Sequence, residues 1–256
     1  MPLPGRVVIL ALLAGCSPGK FVWTDDGTPE LAAYRRSFAA DAGDRFTGEW
    51  PRERLLQDLA GVRVLWLGDH HKSPRLHTLH LELLEQLQRA GRPLALALEA
   101  VGTQDEDDVH ELVAGTLSLD GLRTRMLERW PGSWLDDGDL DAGYYRAVLA
   151  FARRNAVPVR GLEPTPRLPL HARDHAITAA VRSLAATEPQ RLVVVIVGQT
   201  HLLGDGDVVA RTGGPSIALG GEPPPPLLAN APDTLAPGSF HRSTGGLWWF
   251  AELLRQ

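Results

Sequence analysis

The sequence contains one cysteine, Cys16, among its 256 residues. A single cysteine excludes an internal disulfide and any metal site built from several thiolates. Lysine is almost absent, since Lys20 and Lys72 are the only two and the other basic residues are arginines. The 26 basic and 31 acidic side chains give a formal net charge of −5. This balance argues against a nucleic-acid-binding surface, which is rich in clustered lysine and arginine.

Several common functional motifs are also missing. The sequence contains no Gly-x-Ser-x-Gly nucleophile motif, no P-loop and no dinucleotide-binding Gly-x-Gly-x-x-Gly after a predicted strand. These absences weaken the usual serine hydrolase, ATPase and dehydrogenase interpretations. No stretch approaches the 18 or so consecutive apolar residues that a membrane-spanning helix needs.

The N-terminus has the features of a lipoprotein signal peptide over residues 1–15. Arg6 precedes a short apolar run at residues 7–13, and the run ends in Leu-Ala-Gly-Cys at residues 13–16. This ending resembles a bacterial lipobox, in which the cysteine is lipidated; an ordinary cleavage site or a buried N-terminal helix is the alternative. We therefore expect a lipid anchor on Cys16 and a polar tether over residues 16–29. The domain is then expected in the bacterial cell envelope, outside the cytoplasm, in the periplasm or at the cell surface.

Apolar runs alternate with amphipathic segments along the rest of the chain. Such alternation predicts βαβ units and an α/β fold with a mostly parallel central sheet flanked by helices. The predicted strands cover residues 62–67, 93–99, 157–162, 191–197 and 214–219. The predicted helices outside the insertion cover residues 30–40, 51–60, 73–88 and 170–186.

Residues 103–152 lack strand patterning and are predicted to form a small all-helical insertion. The α/β domain is then assembled from residues 30–102 and 153–256. Residues 220–238 contain six prolines and predict an extended surface loop. Residues 246–253 fit a last strand or a short helix equally well.

Polar side chains follow four of the predicted strands. Asp69, His70 and His71 come after the first strand, and Glu99 ends the second. Glu163 follows the third strand, and His201 follows the fourth. Since ligands bind beyond the carboxyl ends of parallel strands, we expect these groups to meet at one edge of the sheet. Two imidazoles and several carboxylates are suitable ligands for a divalent metal, and they could also lie on either side of a haem. The alternative is that the histidines only cap the strand ends through hydrogen bonds.

Four segments resemble the ChaN-type haem-binding lipoprotein family. They are LGDHHKSPRLHTLHLELLEQL, LALALE, ARDHAITAAVRSL and VVVIVGQTHLLGDGDV, in the order and at the spacing of that family. The family belongs to a larger superfamily with the Tiki/TraB and erythromycin-esterase-like proteins. The resemblance covers roughly residues 62–213 and implies haem binding by an α/β domain that carries a helical insertion, which would form a wall over the site.

The resemblance transfers residue by residue to the predicted strand ends. Gly68, Asp69 and His71 match the family's Gly-Glu-x-His motif, with aspartate in place of glutamate. Glu99 matches the acid of the second strand, and His201 ends the second Gly-x-x-His motif. The shorter Asp69 side chain and a lysine at position 72, where the family often has an acid, put a strict metal geometry in doubt.

The candidate site residues fall into two overlapping sets. Arg173 is a candidate for a haem propionate or for a salt bridge, and His77 resembles half of a ligand pair with His80, although exposed helix histidines are commoner. Residues proposed to hold a cofactor are His71, His201, Arg173, His70, His77, Tyr144 and Tyr145. Residues proposed to hold a divalent metal are His71, His201, Glu99 and Asp69.

Taken together, these features predict a membrane-anchored lipoprotein that binds haem or an iron cofactor, in haem or iron uptake. Its expected partners are the cofactor, the membrane, a second copy in a homodimer and an uptake receptor. One alternative is a metal-dependent hydrolase in which Glu99 and Asp69 are catalytic. The other alternative is an envelope scaffold that has lost its cofactor.

Overall fold

The computed structural model describes residues 29–129, 133–136 and 140–255. The predicted signal peptide, the predicted lipidation site Cys16 and all but the last residue of the predicted tether lie outside the described residues. Within the described part of the chain, no helix has both the length and the apolar character needed to cross a membrane.

Strands and helices alternate through most of the described chain. The strands are β1 (Phe46–Trp50), β2 (Val64–Asp69), β3 (Leu94–Gly102), β4 (Val159–Glu163), β5 (Leu192–Gly198), β6 (Ser216–Leu219), β7 (Phe240–Ser243) and β8 (Trp248–Phe250). The helices are α1 (Pro29–Ala42), α2 (Arg52–Asp58), α3 (Pro74–Arg89), α4 (Glu106–Ala114), α5 (Leu119–Arg129), α6 (Ala142–Arg154), α7 (Leu170–Thr187), α8 (Val208–Thr212), α9 (Pro225–Leu228) and α10 (Ala251–Leu254). Short 3-10 turns cover Leu59–Gly61, Thr103–Asp105 and Gln199–His201.

The eight strands form one sheet in the order β1-β7-β8-β6-β2-β5-β3-β4. Strands β8, β6, β2, β5, β3 and β4 run parallel to their neighbours in that order. Strand β7 pairs in the antiparallel direction with β8 on one side and with the edge strand β1 on the other. The predicted α/β fold with a mostly parallel sheet is therefore confirmed.

Both faces of the sheet are buried, which explains why the parallel strands are almost continuously apolar. In β2, Leu65 and Leu67 pack into the cluster that holds the leucines of α3. Val64 and Trp66 point to the opposite face and join the cluster formed with α7 and α1. This alternation follows from the two-residue period of a strand.

Strands β1 and β7 were not predicted from the sequence. β1 is a short edge strand whose three central residues are exposed, so it has no apolar periodicity. The proline-rich segment is not wholly extended, because it contains α9. Residues 246–253 form both candidate structures in succession, β8 and then most of α10.

The described residues between β3 and β4 contain the helices α4, α5 and α6, joined by turns, and no strand. Arg129 joins α5 to Asp105 at the start of α4, through an Nη2–Oδ1 distance of 2.7 Å. Helix α6 begins after Asp141, whose carboxylate accepts the backbone N–H of Tyr144 at 3.1 Å. The expected helical composition is observed, while the division of the chain into domains stays a prediction.

Strand register sets the positions of the polar residues at the sheet edge. Asp69, the last residue of β2, lies opposite Gly198, the last residue of β5. The β3–β4 pairing shifts between Leu98 and Gly102, so that Gly102 lies opposite Glu163. The two strands approach closely here, since a Cβ on Gly161 would lie 2.5 Å from the carbonyl oxygen of Gly102.

Candidate functional site

The predicted meeting of the strand ends is found in the structure. A Cβ on Gly198 would lie 3.3 Å from Glu99 Oε2, 3.5 Å from His201 Cδ2 and 3.6 Å from His71 Cε1. The backbone N–H of Gly198 donates to Glu99 Oε2 at 2.6 Å. Three strands therefore bring two imidazoles and a carboxylate around one glycine, at the edge where parallel sheets bind ligands.

Asp69 connects the sheet edge to the helical insertion. His71 Nδ1 donates to Asp69 Oδ2 at 2.9 Å, and His77 Nε2 donates to Asp69 Oδ1 at 2.8 Å. The Tyr145 hydroxyl donates to Asp69 Oδ2 at 2.8 Å. Burial favours a higher pKa for Asp69, but the charges and hydrogen bonds of His71 and His77 outweigh it and hold the pKa well below its usual range. Asp69 is thus an ionised acceptor that orients His71.

His77 lies between two carboxylates. Its Nε2 atom contacts Asp69, and its Nδ1 atom lies 2.8 Å from Asp141 Oδ2. The ring stacks on Tyr144 with 3.9 Å between centroids and 2° between planes. Burial alone would lower the pKa of His77, but its hydrogen bonds and charge interactions with Asp69 and Asp141 raise it. Both ring nitrogens therefore face carboxylate oxygens, and His77 ties the insertion to β2.

A second buried ionic group lies under β3 and β4. Arg173 on α7 donates to Glu99 Oε1 in a short contact and to Glu163 Oε2 at 2.6 Å. Its side chain is 2 % exposed, and both carboxylates are buried as well. Burial raises the pKa of Glu163, whereas for Glu99 the effect of burial is outweighed by His201 and Arg173, which hold its pKa well below the usual range. The predicted salt bridge of Arg173 is thus present, and it has two partners.

His201 is also held between carboxylates. Its Nδ1 atom makes a short hydrogen bond to Asp174 Oδ1, and its Nε2 atom lies 3.6 Å from Glu99 Oε1. The Tyr34 hydroxyl on α1 donates to Asp174 Oδ2 at 3.0 Å. Burial opposes the charge, but the hydrogen bonds to Asp174 and Glu99 raise the pKa of His201 to about 9. At neutral pH this ring is an imidazolium.

A cavity of about 660 Å³ opens above these groups. This volume falls within the range of about 300–1,000 Å³ typical of cofactor and small-molecule sites. Its charged and polar lining includes six of the predicted site residues: Asp69, His70, His71, Glu99, Arg173 and His201. Its apolar lining comes from α1, the insertion, the β4–α7 segment and the proline-rich segment: Leu31, Phe38, Ala39, Trp134, Leu140, Leu168, Pro169, Leu170, Pro223, Pro224 and Pro225.

The remaining predicted cofactor residues lie beneath the cavity wall. His77, Tyr144 and Tyr145 are buried and are not among the cavity-lining side chains. Tyr144 Oη and His80 Nδ1 share a hydrogen bond of 2.9 Å. Burial raises the pKa of Tyr145 well above its ordinary value, and the charge of Asp69 adds to this effect. The phenol is therefore a neutral donor to Asp69, and the exposed position considered for His77 and His80 is wrong.

The predicted metal ligands are engaged with one another and with arginine. Among residues 29–129, 133–136 and 140–255, no group of three or more His, Cys, Asp or Glu side chains is arranged to hold a metal ion. Glu99 contacts Arg173, while Asp69 contacts His71 and His77. The divalent-metal assignment of His71, His201, Glu99 and Asp69 stays a prediction.

Three residues of the site were absent from the predicted set. Asp174 belongs to the Arg-Asp pair at the start of α7, so the motif itself carried a signal for it. Asp141 is at the N-cap of α6, and its contact with His77 spans 64 residues. Tyr34 reaches Asp174 across 140 residues of sequence. Contacts between such distant segments depend on the tertiary fold and leave no local pattern.

The family comparison covers the strand ends described above. Residues 55–169 match the family model described as haem-binding uptake, Tiki superfamily, ChaN. Over this segment the chain is similar to that family. The match includes Asp69, His71, Glu99 and Glu163 and ends before Arg173. No curated protein matches the chain.

Several solved structures are similar to part of the chain at low identity. The type III effector HopBA1 is 19 % identical, with a TM-score of 0.48 over 70 % of this chain and 86 % of that one. ChaN of Campylobacter jejuni, a protein with cofacial heme binding, is 11 % identical, with a TM-score of 0.44 over 66 % of this chain and 84 % of that one. RRSP, a MARTX toxin effector domain from Vibrio vulnificus, is 17 % identical, with a TM-score of 0.47 over 74 % of this chain and 42 % of that one. These likenesses are too distant to assign a function.

Proposed function

We propose that this protein binds haem in the cavity at the strand ends. The observation that carries the proposal is the combination of a haem-binding family match with a cavity of about 660 Å³ lined by His71. The wall also provides apolar surface from α1 and the insertion, including Phe38 and Trp134. An apolar slot with an axial ligand is what haem requires, and the iron of a bound haem would supply the redox or ligand-binding chemistry.

His71 is the residue best suited to ligate the iron. Because Asp69 accepts the Nδ1 proton, a His71 ring that ligates iron would do so through Nε2. A carboxylate behind the ligating imidazole is a common supporting arrangement. His201 has carboxylates near both nitrogens and a pKa raised to about 9. A ligating histidine must be neutral, so His201 is assigned as a fixed positive charge.

A haemin titration of the purified chain, followed by visible absorbance, tests the binding site. We expect a saturable Soret shift at one haem per chain or per dimer. Ala39 lines the cavity, whereas its neighbour Ala40 is exposed and does not. Ala39→Trp should fill the cavity and weaken haemin binding at least about tenfold, while Ala40→Trp should bind as the wild type does.

The comparison of Ala39→Trp with Ala40→Trp decides whether haem binds in this cavity. An absence of saturable binding in the wild type would overturn haem binding. Equal affinities in Ala39→Trp and the wild type would place the haem elsewhere. Thermal denaturation of both variants establishes that they are folded before their affinities are compared.

We also propose that the protein is a lipoprotein that acts in haem or iron uptake in the cell envelope. The motif at residues 13–16 supports the anchor, and the family description supports the uptake role. Detergent partitioning of the chain expressed in bacteria tests the anchor. The wild type should partition with membranes, and Cys16→Ser should be released; an equal distribution of both would contradict the anchor.

Hydrolysis is a second candidate function, favoured by the two carboxyls beside Arg173. Their environments separate their pKa values, with that of Glu163 raised and that of Glu99 lowered, as in acid–base pairs. Ester and amide substrates assayed with and without a chelator test this candidate. Loss of activity in Glu99→Gln would support it, and loss on chelation would support the metal-dependent form. Absence of both haem binding and hydrolysis would favour the scaffold alternative.

A further inference from the structure

Two exposed arginines on different segments of the chain line the cavity. Arg35 projects from α1, and Arg167 lies in the segment that joins β4 to α7. Both residues are exposed and both line the cavity. Arg173, the third arginine of the lining, is buried and contacts both Glu99 and Glu163. The cavity therefore has one neutralised arginine in its floor and two arginines in contact with solvent.

We propose that Arg35 and Arg167 bind the carboxylates of the ligand, so that the acidic edge of the ligand lies at the cavity mouth. This inference rests on the proposed function and specifies it: the ligand is a tetrapyrrole recognised through its propionates. It replaces the assignment of that role to Arg173, whose charge is matched by two buried glutamates.

The composition of each wall supports this orientation. On α1, Leu31, Arg35 and Phe38 are spaced four and three residues apart, so one helix face presents an arginine between apolar side chains. The β4–α7 segment places Arg167 beside Leu168 and Pro169. Such walls match a flat apolar ring that carries acid groups along one edge.

The chemistry of arginine allows both residues to keep protein contacts while they bind a ligand. Arg167 Nε lies 3.5 Å from Glu163 Oε1. A guanidinium has five N–H donors in a planar fork, so one such contact leaves it able to bind a carboxylate through two parallel hydrogen bonds. The rim also has carboxylates, Glu30 and Glu222, and Glu222 lies 3.7 Å from His70 Nε2. Opposite charges around the mouth give the ligand a defined orientation.

Titration with haemin and with its dimethyl ester, which lacks free carboxylates, tests the proposal. Arg35→Gln and Arg167→Gln are compared with Arg36→Gln, an exposed neighbour on α1 that does not line the cavity. We expect each rim variant to bind haemin about tenfold more weakly, as the loss of a charge-assisted hydrogen bond implies. The dimethyl ester should bind the wild type and all three variants with the same affinity, which should be weaker than that of haemin for the wild type.

The outcomes separate this proposal from haem binding itself. Haemin binding of wild-type strength in both rim variants would overturn the proposal and leave haem binding intact. Equal weakening of haemin and ester would show that the arginines act through packing and would also overturn it. A wild type that binds neither compound would overturn haem binding and this proposal together.

Discussion

Four buried or half-buried imidazoles near the sheet edge differ in charge because different groups surround them. His77 and His201 each lie between two carboxylates, which favour the imidazolium. Burial lowers the pKa of His80 to about 4, so that ring is neutral. His71 has a carboxylate at Nδ1 and lines the cavity. At the scale of single residues, the site therefore combines fixed charges with one histidine suited to ligation.

The raised pKa of His201 predicts a loss of stability at alkaline pH. The folded-state pKa of about 9 exceeds the ordinary value of 6.5, so the stabilisation is complete below pH 6.5 and is lost as pH rises through 9. The difference corresponds to about 3 kcal/mol in the free energy of unfolding. Urea denaturation of the wild type and His201→Gln at several pH values measures it. The difference in the free energy of unfolding between the wild type and His201→Gln should shrink from pH 6 to pH 10. A constant difference would contradict the positive charge assigned to His201.

The sequence was sufficient to predict most of the residues of the site, but it did not predict which of them form hydrogen bonds with one another. The positions of Asp69, His71, Glu99 and His201 were predictable because each lies at the end of an apolar run that forms a strand. Their hydrogen-bond partners were not predictable from the sequence; Asp69, for example, contacts both His71 and His77. Which carboxylate meets which imidazole depends on distances of a few ångströms that the sequence pattern does not contain.

At the scale of elements, Asp141 has two functions that substitutions can separate. It caps α6 by accepting the N–H of Tyr144, and it contacts the buried His77. Asp141→Ala should lower the free energy of unfolding by about 1 kcal/mol through loss of the cap, and by roughly 1–3 kcal/mol more through loss of the hydrogen bond to His77. Asp141→Asn should keep the cap and be destabilised less. Chemical denaturation of both variants tests this, and equal losses would show that the cap contributes nothing.

The close approach of β3 and β4 gives a second prediction at this scale. A Cβ on Gly161 would lie 2.5 Å from the carbonyl oxygen of Gly102, and backbone atoms cannot move aside cheaply. Gly161→Ala should therefore lower the free energy of unfolding by about 1–3 kcal/mol or more. Gly48→Ala in β1 is the control, because nothing lies within 4 Å of its added Cβ. Similar thermal midpoints for the two variants would contradict the observed register.

Elements were predictable where one apolar period dominates the sequence. The interior strand β5 and helix α3 were found with nearly their observed bounds because both bury long apolar surfaces. The short strands β1 and β7 were missed, since they are four or five residues long and depend on pairing with neighbouring strands, β1 with β7 and β7 also with β8. Edge strands take their structure from their neighbour, so their own sequence carries little signal.

At the scale of the whole molecule, the helical insertion and α1 enclose the end of a buried parallel sheet. Trp134 of the insertion and Phe38 of α1 both line the cavity. The Asp69–His77–Asp141 contacts hold the insertion to β2, and the Tyr34–Asp174–His201 contacts hold α1 to the 3-10 turn after β5. Both walls of the cavity are thus fixed through the same residues that orient its histidines.

Resonance Raman spectroscopy of the haem-loaded chain tests the central claim most directly, namely that His71 ligates iron in this cavity. We expect an iron–histidine stretch in the reduced wild type, and the same band in His201→Gln and in His110→Ala, a variant of an exposed histidine outside the cavity. His71→Ala should lose the band and regain it when imidazole is added. Persistence of the band in His71→Ala, or a tyrosinate signature from Tyr144 or Tyr145 in the oxidised wild type, would contradict the account.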